Sequence, residues 1–292
     1  IAVVDTDCHH GDGTQDIYWN DPDVLCISIH QDGRTLYPGT GFTDDFGGPN
    51  ALGATINIPL PPRTSDEGFL FVMDNVILPI LDEFKPEIII NSAGQDNHYS
   101  DPITNMSFSA QGYALLNEKL APDIAVLEGG YSIEKALPYV NVGIILAMAG
   151  LDFSQVREPD YDALRIRQSP EITRLIEDEA RNVMTLWKKK KNLKKQITGS
   201  AAYIRREKNI YYDTDNIMEK QTETVRVCDK CGGVVMIDSA ADTGKRIYAI
   251  ILPNSCCAEC RESGENFFSR MNSSQYNHVY FQDRQKDVFI VK

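Results

Sequence analysis

Short apolar runs of strand length alternate with longer stretches of helical periodicity through the first half of this chain. Ile1 to Val4, Val24 to Ile29, Ile88 to Asn91 and Ile124 to Leu127 are near-continuous apolar runs, the pattern of strands covered on both faces. Between them the spacing predicts helices over Asp66 to Phe84, opened by Ser65 and two acidic residues, over Ser109 to Leu120 and over Ser132 to Ala149. Strands alternating with helices predict an α/β domain built on a parallel sheet. Past residue 150 the pattern changes. Leu151 to Gln168 is polar with Pro159 inside it and reads as a linker that wraps back on the first domain. Ser169-Pro170-Glu171 is a helix start, with a capping hydroxyl, proline in the first turn and an acid at the positive end. Ile172, Leu175, Ile176, Val183 and Leu186 continue that helix into the lysines at 188 to 191, 194 and 195. Arg246 to Leu252 and Val288 to Val291 read as later strands. The expected organisation is a domain over 1–150, a linker and partly basic helical segment over 151–224, and a small module over 225–292.

At 292 residues and 42% hydrophobic, the chain is long enough for more than one globular unit. No apolar stretch approaches the roughly 20 residues of a membrane span. The net charge of −13 is uneven: residues 1–151 carry 5 Lys/Arg against 21 Asp/Glu, and the remainder 24 against 21. The acidic half suits a cationic partner and is a poor match for direct nucleic-acid binding. The lysine run favours the helix dipole at a solvated helix end, with a binding patch as the alternative.

Chemistry concentrates where the first strand ends, in Asp5-Thr6-Asp7-Cys8-His9-His10-Gly11-Asp12-Gly13-Thr14-Gln15. Side chains two apart on an extended strand point the same way, so Asp7 and His9 converge while His10 points away. A third ligand comes from another strand end, Ile88-Ile89-Ile90-Asn91-Ser92-Ala93-Gly94-Gln95-Asp96. One imidazole and two carboxylates leave open coordination positions, as in a catalytic zinc site. Taken alone, Asp-x-His also reads as a strand end feeding a polar turn, and Gly129-Gly130-Tyr131 as an ordinary strand-to-helix turn needing freedom in φ. All these groups follow carboxyl ends of strands, where open parallel sheets place their sites.

The longer string resembles the metal-binding signature of the zinc-dependent histone deacetylase family, which also includes acetoin utilisation proteins and acetylpolyamine amidohydrolases. Further matches follow in the family's order: Tyr37-Pro38-Gly39-Thr40-Gly41, Ser92-Ala93-Gly94-Gln95-Asp96 with Asp101-Pro102, and Leu127-Glu128-Gly129-Gly130-Tyr131. The resemblance covers residues 1 to about 150, is closest to class II and prokaryotic members, and implies the three-layer parallel-sheet arginase/deacetylase fold. It implies that Asp7, His9 and Asp96 hold a catalytic zinc, and that Tyr131 polarises the acyl carbonyl. It places Asp5 and Asp12 behind the ligands, and His10, which points away from the side shared by Asp7 and His9, reads as another group behind them rather than a ligand. A monovalent cation, K+, is implied at Asp5, Asp7, His9, Ser28 and Ile29, and a substrate tunnel walled by Tyr37 and Ile103. Gln95 stands where many class II members carry Phe, and His98 reads as a loop or rim histidine near the tunnel mouth.

The chain also departs from the family. The paired histidines serving as general base and acid belong to a segment upstream of this signature, and none of His9, His10, His30, His98 or His278 matches them. Asp5 and Asp12 match the carboxylates that orient that pair. The expectation is therefore a later part of a longer protein, with little turnover alone and apolar sheet surface exposed.

A second metal signal lies in Cys228-Asp229-Lys230-Cys231 and Cys257-Ala258-Glu259-Cys260, two C-x2-C pairs resembling a four-cysteine zinc ribbon. Cys256 competes with Cys257 as ligand, though only Cys257 keeps the spacing. Disulfides are the alternative. With Cys8 and Cys26 unpaired in the first half, a reducing compartment and a structural zinc are preferred. Such ribbons serve mostly as platforms for protein or nucleic acid. The expected function is a cytoplasmic (or nuclear) zinc-dependent deacetylase acting on acetyl-lysine of a protein. An acetylated small amine is the alternative substrate, and a non-catalytic metal-binding scaffold the alternative class. Ile103 carries no charge to pair with a free polyamine, which favours the protein substrate.

Overall fold

A computed structural model describes residues 1–292. Two compact units emerge: Ile1–Trp19, Asp23–Gly47 and Gly53–Lys190 form the first, and Asn20–Pro22, Gly48–Leu52 and Lys191–Lys292 the second.

The first unit is built on five parallel strands, β1 (Ala2–Asp5), β2 (Leu25–Gln31), β3 (Thr55–Leu60), β4 (Ile89–Ala93) and β5 (Ile124–Leu127), in the order β3-β2-β1-β4-β5. β2 is buried along its whole length, as a strand covered on both faces must be. β3 was not legible in the sequence because Pro59 interrupts it; at the sheet edge the missing N–H costs nothing. The order reverses at β1, with β2 on one side and β4 on the other. The loops after β1 and β4 therefore open at a topological switch point.

The stretch 66–84 is not one α-helix but α2 (Asp66–Val72), a π turn over Met73–Ile77 and α3 (Leu78–Phe84). Pro79 lacks an N–H and its ring crowds the preceding turn, which the wider π turn accommodates. Ser65 does not cap this helix. Its N–H and hydroxyl instead donate to Gln168 Oε1. Ser109 does cap α4 (Ala110–Leu120), accepting from the Gly112 amide at 3.1 Å. α5 (Leu137–Met148) starts later than its pattern suggests, with Pro138 in its first turn. A short α1 (Asp12–Tyr18) without buried residues follows the β1 loop. α6 (Pro170–Thr198) buries Ile176, Ala180, Val183 and Trp187, and Trp187 Nε1 and Lys190 Nζ both donate to Glu83. The segment before it is anchored through Glu158, Ile166 and Gln168, all buried.

At the other edge, β5 leaves Ile124, Val126 and Leu127 exposed, and α5 exposes Val142, Ile145 and Met148. An apolar edge strand with unpaired backbone groups is the surface a folded protein normally covers. No helix is long and apolar enough to cross a membrane.

The second unit holds a six-stranded sheet in the order β11-β10-β9-β8-β7-β6. Its strands are β6 (Tyr203–Tyr212), β7 (Ile217–Arg226), β8 (Val235–Ala241), β9 (Arg246–Leu252), β10 (His278–Asp283) and β11 (Val288–Val291). α7 (Ala258–Arg270) connects the parallel pair β9 and β10; the other pairings are antiparallel. The β6–β7 hairpin replaces the linker and helical character expected there. Its alternation is genuine, but charged Arg206, Lys208 and Glu223 occupy inward-alternating places and hide the apolar period.

Candidate metal centre

Asp7 and His9 leave the end of β1, Asp96 leaves β4, and Glu128 to Tyr131 leave β5, so the switch point gathers them. One ligand atom from each of Asp7, His9 and Asp96 lies within 4.8 Å of the others. His9 Nδ1 sits 3.1 Å from Asp7 Oδ1 and 2.8 Å from Asp96 Oδ2. The carboxylates are held by main-chain donors: Asp7 Oδ1 accepts the His9 amide and Oδ2 the Gly129 amide, and Asp96 Oδ1 accepts the Cys8 amide.

Asp96 Oδ2 is buried and, despite its closeness to His9, receives no well-directed hydrogen bond. Such an oxygen is costly unless a cation faces it. Gly129 points the same way, since a Cβ there would stand 2.7 Å from Asp96 Oδ2 and 2.8 Å from Asp7 Oδ2. Burial raises the Asp7 carboxyl, but hydrogen bonds from His9 and Gly129 hold it below the ordinary range. Burial outweighs the His9 contact at Asp96, whose pKa is raised. Its contacts with the Asp7 and then the Asp96 carboxylate push His9 up to about 10. Two carboxylates thus draw a proton onto the one imidazole between them, and the residues fit a divalent cation in its place.

Tyr131 lies half-exposed on an open cleft of about 350 Å³ lined also by Asp5, Asp7, His9, His10, Glu128 and Gly129. Burial and the nearby Asp96 and Asp7 carboxylates raise its pKa, so the phenol keeps its proton. Its backbone amide donates to Asp101 Oδ2 at 2.9 Å, and Asp101 Oδ1 accepts from the Ile103 amide at 3.0 Å. Asp101 is therefore a linking residue the sequence reading gave no role, although its position beside Pro102 in a matched motif was a signal.

Asp5 lies beneath the ligands. Its Oδ1 accepts the Asp7 amide, and burial pushes it up to about 7. With Ser28, Gly11 and Asn57 it lines a cavity of about 10 Å³, room for about one water-sized occupant. Ile29 is buried beside Ser28 in β2. Asp12 is exposed at the start of α1, and His10 is bonded to Thr40 Oγ1 and Gln15 Oε1. Tyr37 and Ile103 are both exposed. Gln95 is buried and donates to Asn141 Oδ1.

His98 is not a rim group. It is buried, with Nε2 2.6 Å from Glu158 Oε1 and Nδ1 2.9 Å from Ser100 Oγ. Sequence reasoning missed this because the partner carboxylate sits 60 residues away in a polar stretch. His30 is also buried, between Ser28 Oγ and the Gly41 carbonyl.

In the second unit, Cys228, Cys231, Cys257 and Cys260 bring their sulfurs within 4.8 Å of one another, and Cys256 stands outside the group. Cys228 Sγ lies 3.7 Å from Cys231 Sγ and 3.8 Å from Cys257 Sγ. Four thiolates at Zn–S bonds of about 2.3 Å place tetrahedral edges at about 3.8 Å, far longer than the roughly 2.05 Å of a disulfide. None of the seven cysteines forms a disulfide.

Residues 1–142 match the family model described as the histone deacetylase domain. A probable deacetylase of Archaeoglobus fulgidus is 53% identical over 169 residues, covering 55% of this chain and 46% of that protein. The acetoin utilization protein AcuC of Bacillus subtilis is 36% identical over 179 residues, covering 58% of this chain and 46% of that protein. The solved HDA15 HD domain superposes with a TM-score of 0.53 at 27% identity, over 64% of this chain and 50% of that one. The chain thus spans about half the length of the curated relatives it matches.

Proposed function

The chain belongs, through residues 1–142, to the family of histone deacetylases, acetoin utilisation proteins and acetylpolyamine amidohydrolases, and on that premise we propose a zinc-dependent deacetylase acting on acetyl-lysine of a protein. The observation that carries this reading is the convergence of Asp7, His9 and Asp96, one ligand atom of each within 4.8 Å of the others, with Tyr131 on the same cleft. Asp7, His9 and Asp96 would hold the metal, which when bound supplies a Lewis acid for the acyl oxygen and lowers the pKa of a water to roughly 7. Tyr131, still protonated, donates to the oxygen on which charge develops, a contact worth about 3 kcal/mol where such donors have been removed from other enzymes. The Gly129 amide keeps Asp7 aimed, and its missing side chain leaves room above both carboxylates.

The apolar Ile103 offers a free polyamine no counter-charge, which favours an acetylated lysine side chain over an acetylated small amine. A monovalent cation beside Asp5 and Ser28 and a structural zinc at Cys228, Cys231, Cys257 and Cys260 belong to the same proposal, with the second unit as a platform for a protein partner. A metal-activated water needs a base to take its proton. His10, His30 and His98 are engaged elsewhere and His278 lies in β10. The second reading, a metal-binding scaffold without turnover, holds only where no such base reaches the site.

The test is acetate release from an acetyl-lysine peptide by the complete gene product containing these residues, supplied with zinc. Turnover lost to a chelator and to Tyr131→Phe supports the deacetylase. Zinc bound without turnover on any acetyl-amine supports the scaffold.

A further inference from the structure

The four-cysteine group is completed by a residue far from it in sequence. Asn50 is buried in the segment Gly48–Leu52, which belongs to the second unit. Its Oδ1 accepts from the Cys228 amide at 2.9 Å, and its Nδ2 donates to the Arg226 carbonyl at 2.8 Å and the Gly232 carbonyl at 2.7 Å. One side chain thus braces both ends of the loop that carries Cys228 and Cys231.

That loop points main-chain amides at sulfur: Lys230 N donates to Cys228 Sγ and Gly233 N to Cys231 Sγ, each at 3.4 Å. Amide donors on sulfur stabilise thiolates over thiols, the state a metal requires. Gly233 takes φ +77°, and a Cβ there would stand 2.2 Å from the Arg226 carbonyl oxygen and 2.4 Å from Asn50 Nδ2. The fit of loop to asparagine therefore leaves no slack. On the other side, Cys257 and Cys260 sit at the N-terminus of α7, where the helix dipole favours negative sulfur. Arg226 Nη1 donates to Cys260 Sγ at 2.8 Å, offsetting part of the double negative charge of a four-thiolate zinc. The sulfur of the neighbouring Cys256 stands outside the group of four.

Resting on the reading of the four cysteines as a zinc site, we propose that Asn50 is its positioning residue: a side chain from the first fifth of the chain that fixes the Cys228–Cys231 loop in metal-binding shape and slows release of the ion. Groups standing behind metal ligands in this way typically govern affinity by about 10- to 100-fold.

The experiment uses the full chain loaded with zinc, following release to a competing chelator. Cys228→Ser identifies the ion held by cysteine, by the phase it removes. Asn50→Ala is expected to speed that phase about 10- to 100-fold while leaving the ion at Asp7, His9 and Asp96 unchanged in the same sample. In cobalt-loaded protein, its thiolate-to-metal absorption is expected to shift, which a general loosening of the unit would not produce. Should Asn50→Ala fail to fold by circular dichroism, Asn50→Asp is scored by the same rule. That variant keeps the acceptor for the Cys228 amide but turns two donors into an acceptor facing carbonyls. A wild-type release rate in the folded variant overturns the role of Asn50 and leaves the cysteine site standing. A chain whose zinc content is the same with and without Cys228→Ser overturns the cysteine site and the inference with it.

Discussion

Asp101 holds the Tyr131 loop by its backbone: the Tyr131 amide donates to Asp101 Oδ2 at 2.9 Å, while Oδ1 of the same carboxylate takes the Ile103 amide at 3.0 Å. The residue proposed to polarise the carbonyl and a proposed tunnel wall are thereby fixed to one another. Asp101→Ala frees both without touching a metal ligand. A misplacement of about 1 Å in such a group costs on the order of 100-fold, so kcat of the complete gene product should fall by that order with zinc content unchanged. Parallel loss of zinc would place Asp101 in metal binding instead.

Gly129 admits no side chain. A methyl there falls within 2.8 Å of both carboxylates that flank the metal position. Gly129→Ala should weaken zinc binding at Asp7, His9 and Asp96 at least about tenfold, the effect of disturbing groups around metal ligands. The cysteine-held ion should be unaffected, and equilibrium dialysis of zinc against the variant checks this. Unchanged affinity at the first site would mean that Gly129 does not shape it.

Glu158 and His98 form a pair with both side chains fully buried. Burial raises the Glu158 carboxyl, but hydrogen bonds from His98 and the Ala110 amide hold it below its usual range. A depressed folded-state pKa stabilises above the unfolded value of about 4.3, and that stability is lost as pH falls through the folded value. His98→Ala leaves the carboxylate buried without its partner and should cost about 3 kcal/mol at neutral pH. The cost should shrink on acidification, as Glu158 takes up a proton, and His98→Ala with Glu158→Gln should recover part of it. Urea unfolding across pH measures this, and a cost that does not change with pH would contradict it.

Much of the first unit was legible because its strands are continuous apolar runs and its candidate ligands follow strand ends. Asp7 and His9 pair on an extended-strand expectation, whereas they converge from a bend just past β1, where Asp7 Oδ1 accepts the His9 amide; Asp96 follows from a second strand end. What escaped was set by distance along the chain or by local interruption. β3 was masked by Pro59, the π turn follows from how the helix absorbs Pro79, and the β6–β7 hairpin was hidden by charges on its inner face. His98 looked like a rim histidine because nothing nearby announces Glu158. Asn50 had no local signal at all, since its partners begin at Arg226.

Asp7, His9 and Asp96 are proposed as the ligands of a catalytic zinc. Crystals of the zinc-loaded chain, measured above and below the zinc absorption edge, test it most directly. An anomalous peak is expected between the Asp7 carboxylate, His9 Nδ1 and Asp96 Oδ2, in addition to one among the four cysteines. A peak at the cysteines with none between Asp7, His9 and Asp96 at saturating zinc would contradict it.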